Sequence, residues 1–169
     1  LFNQSARNEV QIVVTVLSVD DKNDPDVLSV VAASIALIIS DIPWGGPVAS
    51  ARIGRVNNQW LVNPGFAERE SSDLDLVISV SPDLKINMIE AGALEVKEEE
   101  LVDAWEIARP HLKSILDFSV KIAGDFKTPK AAVALPAPDK ELQNFVREFL
   151  ASDNALENAL YEKRKAARL

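Results

Sequence analysis

The chain has 169 residues, 47% of them hydrophobic, which is enough to bury the core of one domain and part of a second. It contains no cysteine and one histidine, which excludes a disulfide framework, a thiol nucleophile and a cysteine-based zinc site, and makes a histidine-based metal site or a serine–histidine relay a poor candidate. The net charge of −8 repels nucleic acid at long range, so if RNA is the substrate, most of this surface faces away from it or another segment supplies the positive charge.

The first part of the chain predicts a strand. β-Branched residues alternate imperfectly from Val10 to Val19, which is typical of an internal strand. The residues before it lack the apolar core of a signal peptide, and the chain opens at Leu1 rather than at methionine, so we expect a fragment of a longer protein.

A helix is predicted next. Asp24 is a candidate N-cap, Pro25 suits the first helical position, and Asp26 suits the first turn. Residues 27–39 are apolar or small on every side, which predicts a helix buried all round that ends near Ser40. The run is too short to cross a membrane, which takes about 20 apolar residues.

A meander of four strands is predicted after this helix. The prolines and glycines of residues 42–47 exclude a helix and predict a tight loop, under which Trp44 packs. Asn57 and Asn58 tolerate positive φ and suit a hairpin turn. Pro64–Ser72 is expected to be a loop or a frayed turn. The expected strands are Val48–Val56, Gln59–Asn63, Leu74–Val80 and Leu84–Ala91.

The remainder of the chain predicts helices. Helical spacing runs from Glu98 to Ala123 with three acidic residues in the first turn, a kink or break at Pro110, and a stop at Gly124. Residues 125–138 contain three prolines and are expected to be a linker. Two amphipathic helices are expected at residues 139–150 and 153–169, with Asp139 and Asp153 as caps.

The order and spacing of these elements resemble the second half of a ribonuclease PH-like domain, and most closely the first such domain of the polynucleotide phosphorylase family. The resemblance covers residues 1 to about 124 and then the family's all-helical segment. The motifs that carry it are Leu1-Phe2, Asn8–Gln11, Asp24–Val27, Ala33-Ser34, Ile42-Pro43, Gly46-Pro47, Ala51–Gly54, Asn63-Pro64, Leu74–Val77 and Met88–Ala91.

The resemblance implies an α+β fold, a ribonuclease PH-like β-α-β sandwich of the ribosomal protein S5 domain 2 type, followed by an all-α segment. The implied domains are a ribonuclease PH-like half at 1–124, a linker at 125–138, and the start of the helical domain at 139–169.

The resemblance also implies an activity for the whole protein. The family degrades RNA from the 3′ end with inorganic phosphate as nucleophile, runs the reverse polymerisation, and uses Mg2+. It forms a homotrimeric ring, and KH and S1 RNA-binding domains follow at the C-terminus. The implied setting is RNA degradation in the cytoplasm, with RNA and RNA-degradosome proteins as partners and no membrane. The alternative is a non-enzymatic RNA-binding or ring-forming subunit of an exosome-like assembly.

This segment itself is expected to be a non-catalytic scaffold and trimer-interface part, with no cofactor of its own. In the family's active sister domain, serines at the start of the helix bind phosphate. Here Asp24 and Asp26 would repel phosphate by about 1 kcal/mol or more each. The sister domain also has an aspartate, then a lysine two residues later, and an acid upstream. Asp75 matches the aspartate, but Val77 replaces the lysine and Arg69 lies near the place of the acid. We therefore assign no catalytic and no metal residue.

Other residues leave alternatives open. Asp73 and Asp75 share a strand face and suit either a weak metal site or ordinary strand-end acids. Arg52 is a candidate for RNA or phosphate contact, and a salt bridge within the fold is its alternative role. His111 is expected to be a partly exposed helix residue, and Ser34 a small residue that allows close packing. Where the resemblance implies a glycine–histidine pair in the long helix, this sequence has Ala108-Arg109. A basic cluster at the end suits RNA contact or a helix C-terminus, and consists of Lys163, Arg164, Lys165 and Arg168.

Overall fold

An antiparallel four-stranded sheet organises the first part of the chain in the computed structural model, which describes residues 1–126, 128–137, 139–151 and 155–163. Its strands are β1 Ala49–Val56, β2 Gln59–Val62, β3 Leu74–Val80 and β4 Ile86–Ala93. The strand order is β2-β1-β3-β4. The four predicted strands are therefore confirmed, but the predicted meander is wrong, because β3 pairs with the free side of β1 rather than with β2.

The turn between β1 and β2 has the predicted conformation. Asn57 and Asn58 have φ values of 51° and 62°, as a two-residue type I′ hairpin turn requires. The next connection differs from the prediction, since a short helix, α2 (Phe66–Glu70), forms inside the expected loop. This helix brings Arg69 close to the sheet, which matters for the site below.

The hydrophobic core lies between the sheet and one long helix, α3 (Glu98–Phe126). Its buried side chains come from alternate positions of β1 and β3 and from one stripe of α3, which follows helical spacing. Full burial of each large aliphatic side chain contributes about 1.5–3 kcal/mol. The core consists of Ala49, Ala51, Ile53, Leu74, Leu76, Ile78, Val80, Ala104, Ala108, Leu112 and Leu116.

Helix α3 runs past both of its predicted interruptions. Pro110 lies inside it without a break, and the alternative expectation of a kink stays a prediction. Both Pro110 and Glu106 are exposed, so water can bind the Glu106 carbonyl that the missing N–H leaves free. The helix also continues beyond Gly124 to Phe126.

Helix α1 (Pro25–Ile39) begins as predicted but is not buried all round. Asp24 is its N-cap and accepts a hydrogen bond from the Asp26 N–H. In α1 only Ser34 and Leu37 are buried, whereas Leu28 is 68% exposed. The helix packs on β1 and α3, and these cover one side of it.

The predicted strand at Val10–Val19 is also wrong, because these residues lie outside regular structure and are exposed. A strand needs a neighbour for its backbone hydrogen bonds, and none of the described strands pairs with this segment.

The chain divides into two compact units, Leu1–Val133 and Ala134–Leu169. The second unit contains α4 (Lys140–Ala151) and α5 (Ala155–Tyr161). Asp139 caps α4, since its carboxylate accepts from the N–H groups of Glu141 and Leu142 at 2.9 and 3.2 Å. Asp153 lies outside the described residues. The domain limits expected from the sequence stay a prediction. In the described part of the chain, no helix combines the length and apolar character that crossing a membrane demands.

Candidate functional site

The first turn of α1 is the place where the sequence left a choice between a helix cap and a phosphate site. The Asp24 backbone is extended, and its carboxylate accepts from the Asp26 N–H at 3.0 Å. The Asp26 carboxylate accepts from the Val27 N–H at 2.5 Å. Pro25 has no N–H to offer. The donors that an anion would use at this helix end are therefore engaged by the chain's own acids.

Two arginines hold these acids from other elements. Arg52 on β1 donates from Nη1 to both carboxylate oxygens of Asp75, at 3.0 and 2.9 Å, and from Nη2 to Asp26. Arg69 on α2 donates to Asp24 and, at 3.1 Å, to Asp75. We call Asp24, Asp26, Arg52, Arg69 and Asp75 the charge cluster. It connects α1, α2, β1 and β3.

Two members of the charge cluster, Asp24 and Arg69, have pKa values shifted in the direction that favours their charged forms. Burial raises the pKa of Asp24, but the hydrogen bonds from the Asp26 N–H and from Arg69 outweigh it and leave that pKa below its ordinary value. Burial lowers the pKa of Arg69, and its bonds to Asp24 and Asp75 outweigh that effect and raise it. Three carboxylates against two guanidinium groups leave one net negative charge, which repels phosphate.

The carboxylates of Asp73 and Asp75 are engaged separately, because each pairs with a different arginine. Arg55 on β1 donates from Nε and Nη2 to Asp73 at 2.9 and 2.7 Å. This hydrogen bond lowers the pKa of Asp73 despite the opposing effect of burial. Among the residues that the structure describes, there is no group of three or more acidic or histidine side chains placed to hold a metal ion.

Arg55 forms a second buried centre that the sequence analysis missed. Its Nη1 donates to Glu100 in the first turn of α3, and its guanidinium carbon lies 5.4 Å from the centroid of the Trp60 ring. The pKa of Glu100 is lowered, first by the Lys97 N–H and then by Arg55. The signal that would have found it is a second arginine on β1, three positions after Arg52, together with a second acid, Asp73, two positions before Asp75.

A polar pocket of about 300 Å³ opens beside the charge cluster. Arg52, Arg69 and Asp75 line it together with Val77 and Glu90. Val77 stands where the resemblance implies a lysine in active domains, and it offers no proton or charge. Both arginines of the pocket are held by carboxylates.

Among the other sequence candidates, Arg52 lines this pocket, while His111, Ser34 and Trp44 do not. Arg52 forms the salt bridges that were its alternative role, and its contact with RNA or phosphate stays a prediction. His111 is exposed on α3. Ser34 is buried, as close packing requires, and its hydroxyl also accepts from the Val48 N–H at 2.8 Å. Trp44 packs on Phe2, with ring centroids 6.2 Å apart.

The basic cluster at the chain end falls mostly outside the described residues. Lys163 is exposed beyond α5. Arg164, Lys165 and Arg168 lie outside the described part of the chain, and their role stays a prediction.

Known proteins are similar to this chain over part or almost all of its length. Residues 46–109 match the model of the 3′ exoribonuclease family, domain 2. Polyribonucleotide nucleotidyltransferase of Thermus thermophilus is 43% identical over 170 residues, covering 99% of this chain and 23% of the relative. The enzymes of that name from Nitratidesulfovibrio vulgaris and Geobacillus kaustophilus are 42% and 39% identical, again over 99% of this chain. The chain thus spans about a quarter of the length of these relatives.

Two solved structures share the fold. Rice Rrp46 superposes with a TM-score of 0.56 at 15% identity, covering 63% of this chain and 51% of that one. Cell-death-related nuclease 5 of C. elegans gives 0.55 at 19% identity, covering 64% and 60%. The predicted α+β fold of ribonuclease PH type is thereby confirmed. Residues 46–109 match the model of domain 2 of the 3′ exoribonuclease family, and almost the whole chain is similar to a segment of the polyribonucleotide nucleotidyltransferases.

Proposed function

We propose that this chain is a non-catalytic part of a phosphate-dependent 3′-to-5′ exoribonuclease, a polyribonucleotide nucleotidyltransferase that acts in RNA degradation. Relatives of that name match almost the whole chain. The observation that carries the non-catalytic role is the charge cluster, in which Arg52 and Arg69 hold Asp24, Asp26 and Asp75. In this proposal the chain is a scaffold of the ring-forming domain and part of its trimer interface.

Phosphorolysis needs a site that positions phosphate and neutralises the charge that develops at the transition state. A helix N-terminus does so through free N–H groups and its dipole. In this chain, Asp24 and Asp26 take the donors of α1, and the two guanidinium groups that remain are neutralised by carboxylates. An entering phosphate would have to displace a carboxylate from a charge-assisted hydrogen bond, which is about twice as strong as a neutral one.

Mg2+ and inorganic phosphate belong, in this proposal, to other parts of the whole protein. The described residues do not fit a metal, since Asp73 and Asp75 are separately paired with Arg55 and Arg52. We further propose that the whole protein binds RNA, forms a homotrimeric ring in the cytoplasm, and binds proteins of an RNA degradosome. The family membership supports each of these.

Two finer assignments are also proposals. We divide the chain into a ribonuclease PH-like half at 1–124, a linker at 125–138 and the start of a helical domain at 139–169. We keep Arg52 as the residue that would meet RNA or phosphate, which requires the anion to displace Asp26 or Asp75. Poly(A) binding that weakens in Arg52→Met, and does not weaken in the exposed-arginine variant Arg109→Met, would support that contact. Equal poly(A) binding by both variants would contradict the proposed contact of Arg52 with RNA.

The non-catalytic role is tested by phosphorolysis of poly(A). The purified 169-residue chain is incubated with poly(A), inorganic phosphate and Mg2+, and ADP release is measured. The full-length relative from Thermus thermophilus serves as the positive control. We expect no phosphate-dependent ADP from this chain, and any such release above the level without phosphate would overturn the proposal.

A further inference from the structure

The C-terminal end of α1 has carbonyl groups that the helix's own N–H groups do not all satisfy. The last carbonyls of any helix lack intrahelical partners, and they carry the negative end of the dipole. The Ser40 N–H donates to the Ala36 carbonyl, and the Ser40 hydroxyl donates to the Leu37 carbonyl at 2.9 Å. The last turn contains no basic residue.

A lysine from a distant segment supplies the missing charge. The Lys130 ammonium donates to the carbonyl oxygens of Leu37, Ile38 and Ser40 at 2.9, 3.0 and 2.7 Å. An ammonium group has three N–H donors, so this set uses all of them. The adjacent Ala131 N–H donates to the Asp41 carbonyl at 2.7 Å.

The contact made by Lys130 and Ala131 lies inside the segment that the sequence predicts to be a linker. The sequence predicts a linker at 125–138, yet residues 130–131 are bound to residues 37–41 by four hydrogen bonds. The first compact unit ends at Val133, directly after the contact. The part of the segment that is free to link the two units therefore begins after the lysine rather than at the end of α3.

We propose that Lys130 is an anchor that fastens the linker segment to the C-terminal end of α1 and orders the two together. Its positive charge is required, because three carbonyl dipoles converge on one ammonium group. Loss of that charge, by substitution or by acylation of the amine, releases residues 128–133 and frays the last turn of α1. This inference is independent of the proposed function.

The test compares Lys130→Met and Lys130→Arg with a control, Lys113→Met. Lys113 makes one exposed ion pair with Asp117 on α3, so its loss removes a charge without touching the anchor. Elastase is used for limited proteolysis, because the small residues at 131–134 suit it and it does not cut at the substituted lysine. Amide hydrogen exchange is measured in parallel at residues 36–41 and 128–133.

We expect Lys130→Met to raise both the cleavage rate and the exchange of the Ala131 amide by about tenfold, which corresponds to about 1.4 kcal/mol of local opening. Lys130→Arg, which keeps the charge, should restore most of the protection. Lys113→Met should match the unsubstituted chain. Protection that stays within twofold in Lys130→Met would overturn the proposal. Loss of protection spread over α3 as well would also overturn it, because that pattern reports general destabilisation.

Discussion

Replacing Arg52 by methionine tests how much the charge cluster stabilises the fold. Methionine keeps the apolar stem and removes the guanidinium group, so the packing change is small. The substitution removes three hydrogen bonds, two to Asp75 and one to Asp26. It leaves Asp26 without its arginine, while Asp75 keeps Arg69.

The magnitude follows from how deeply each partner is buried. The Arg52 side chain is 9% exposed, whereas those of Asp26 and Asp75 are 45% and 39% exposed. Removing one partner of a fully buried pair costs about 3–5 kcal/mol, and exposed pairs contribute less than about 1 kcal/mol. Because water reaches the two carboxylates but not the guanidinium group, we expect a loss of about 2 kcal/mol in the free energy of unfolding. For a unit of this size, that lowers Tm by about 6–8 °C.

Urea unfolding followed by tryptophan fluorescence measures this loss. All three tryptophans, Trp44, Trp60 and Trp105, lie in the first compact unit, so the fluorescence reports that unit alone. The control is Arg109→Met, since Arg109 is exposed on α3 and makes only a long contact of 3.7 Å with Glu106. It should change stability by less than about 0.5 kcal/mol. A loss for Arg52→Met no larger than that of the control would refute the reasoning.

Two further predictions concern packing and pH. A Cβ on Gly46 would lie 2.3 Å from the Trp44 ring, so Gly46→Ala should destabilise by about 1–3 kcal/mol. Gly124→Ala, where a Cβ meets nothing within 4 Å inside α3, should instead stabilise by up to about 1 kcal/mol; equal effects in urea unfolding would contradict both. The bond from Arg55 lowers the folded-state pKa of Asp73, so its stabilisation is present above the unfolded pKa of about 3.9 and is lost as pH falls through the folded value. The stability difference between the unsubstituted chain and Asp73→Asn should therefore shrink between pH 5 and pH 2, and a difference that stays constant would show that the ion pair is not its source.

Features set by local chemistry were predictable from the sequence. Asp24 before Pro25 predicted the start of α1, since the cap bond spans two residues. Asn57-Asn58 predicted the hairpin, because few residues tolerate two successive positive φ values. The spacing of Ala104, Ala108 and Leu112 follows directly from helical periodicity. The family resemblance came from the order and spacing of short sequence motifs along the chain.

Features that depend on distant partners were not predictable in the same way. The alternation at Val10–Val19 reports a preference for extended backbone, but a strand forms only beside another strand. The sequence places β3 after β2 without saying which side of β1 it joins. For Arg52, an internal salt bridge was one of two alternatives, and its partners lie 26 and 23 residues away in the chain. The anchor at Lys130 spans a still longer separation and left no pattern in its surroundings.

The charge cluster explains why acids can stand where the family's active domains are expected to receive phosphate. A helix N-terminus favours a negative charge, whether that charge is a bound anion or a side chain. In α1 the negative charge is built in as Asp24 and Asp26, and their counter-charges come from Arg52 on β1 and Arg69 on α2. A bound phosphate would exchange with solvent, whereas these carboxylates are part of the chain and link α1, α2 and the sheet through their ion pairs. The arrangement that stabilises this part of the fold therefore also occupies the start of α1 with the chain's own acids.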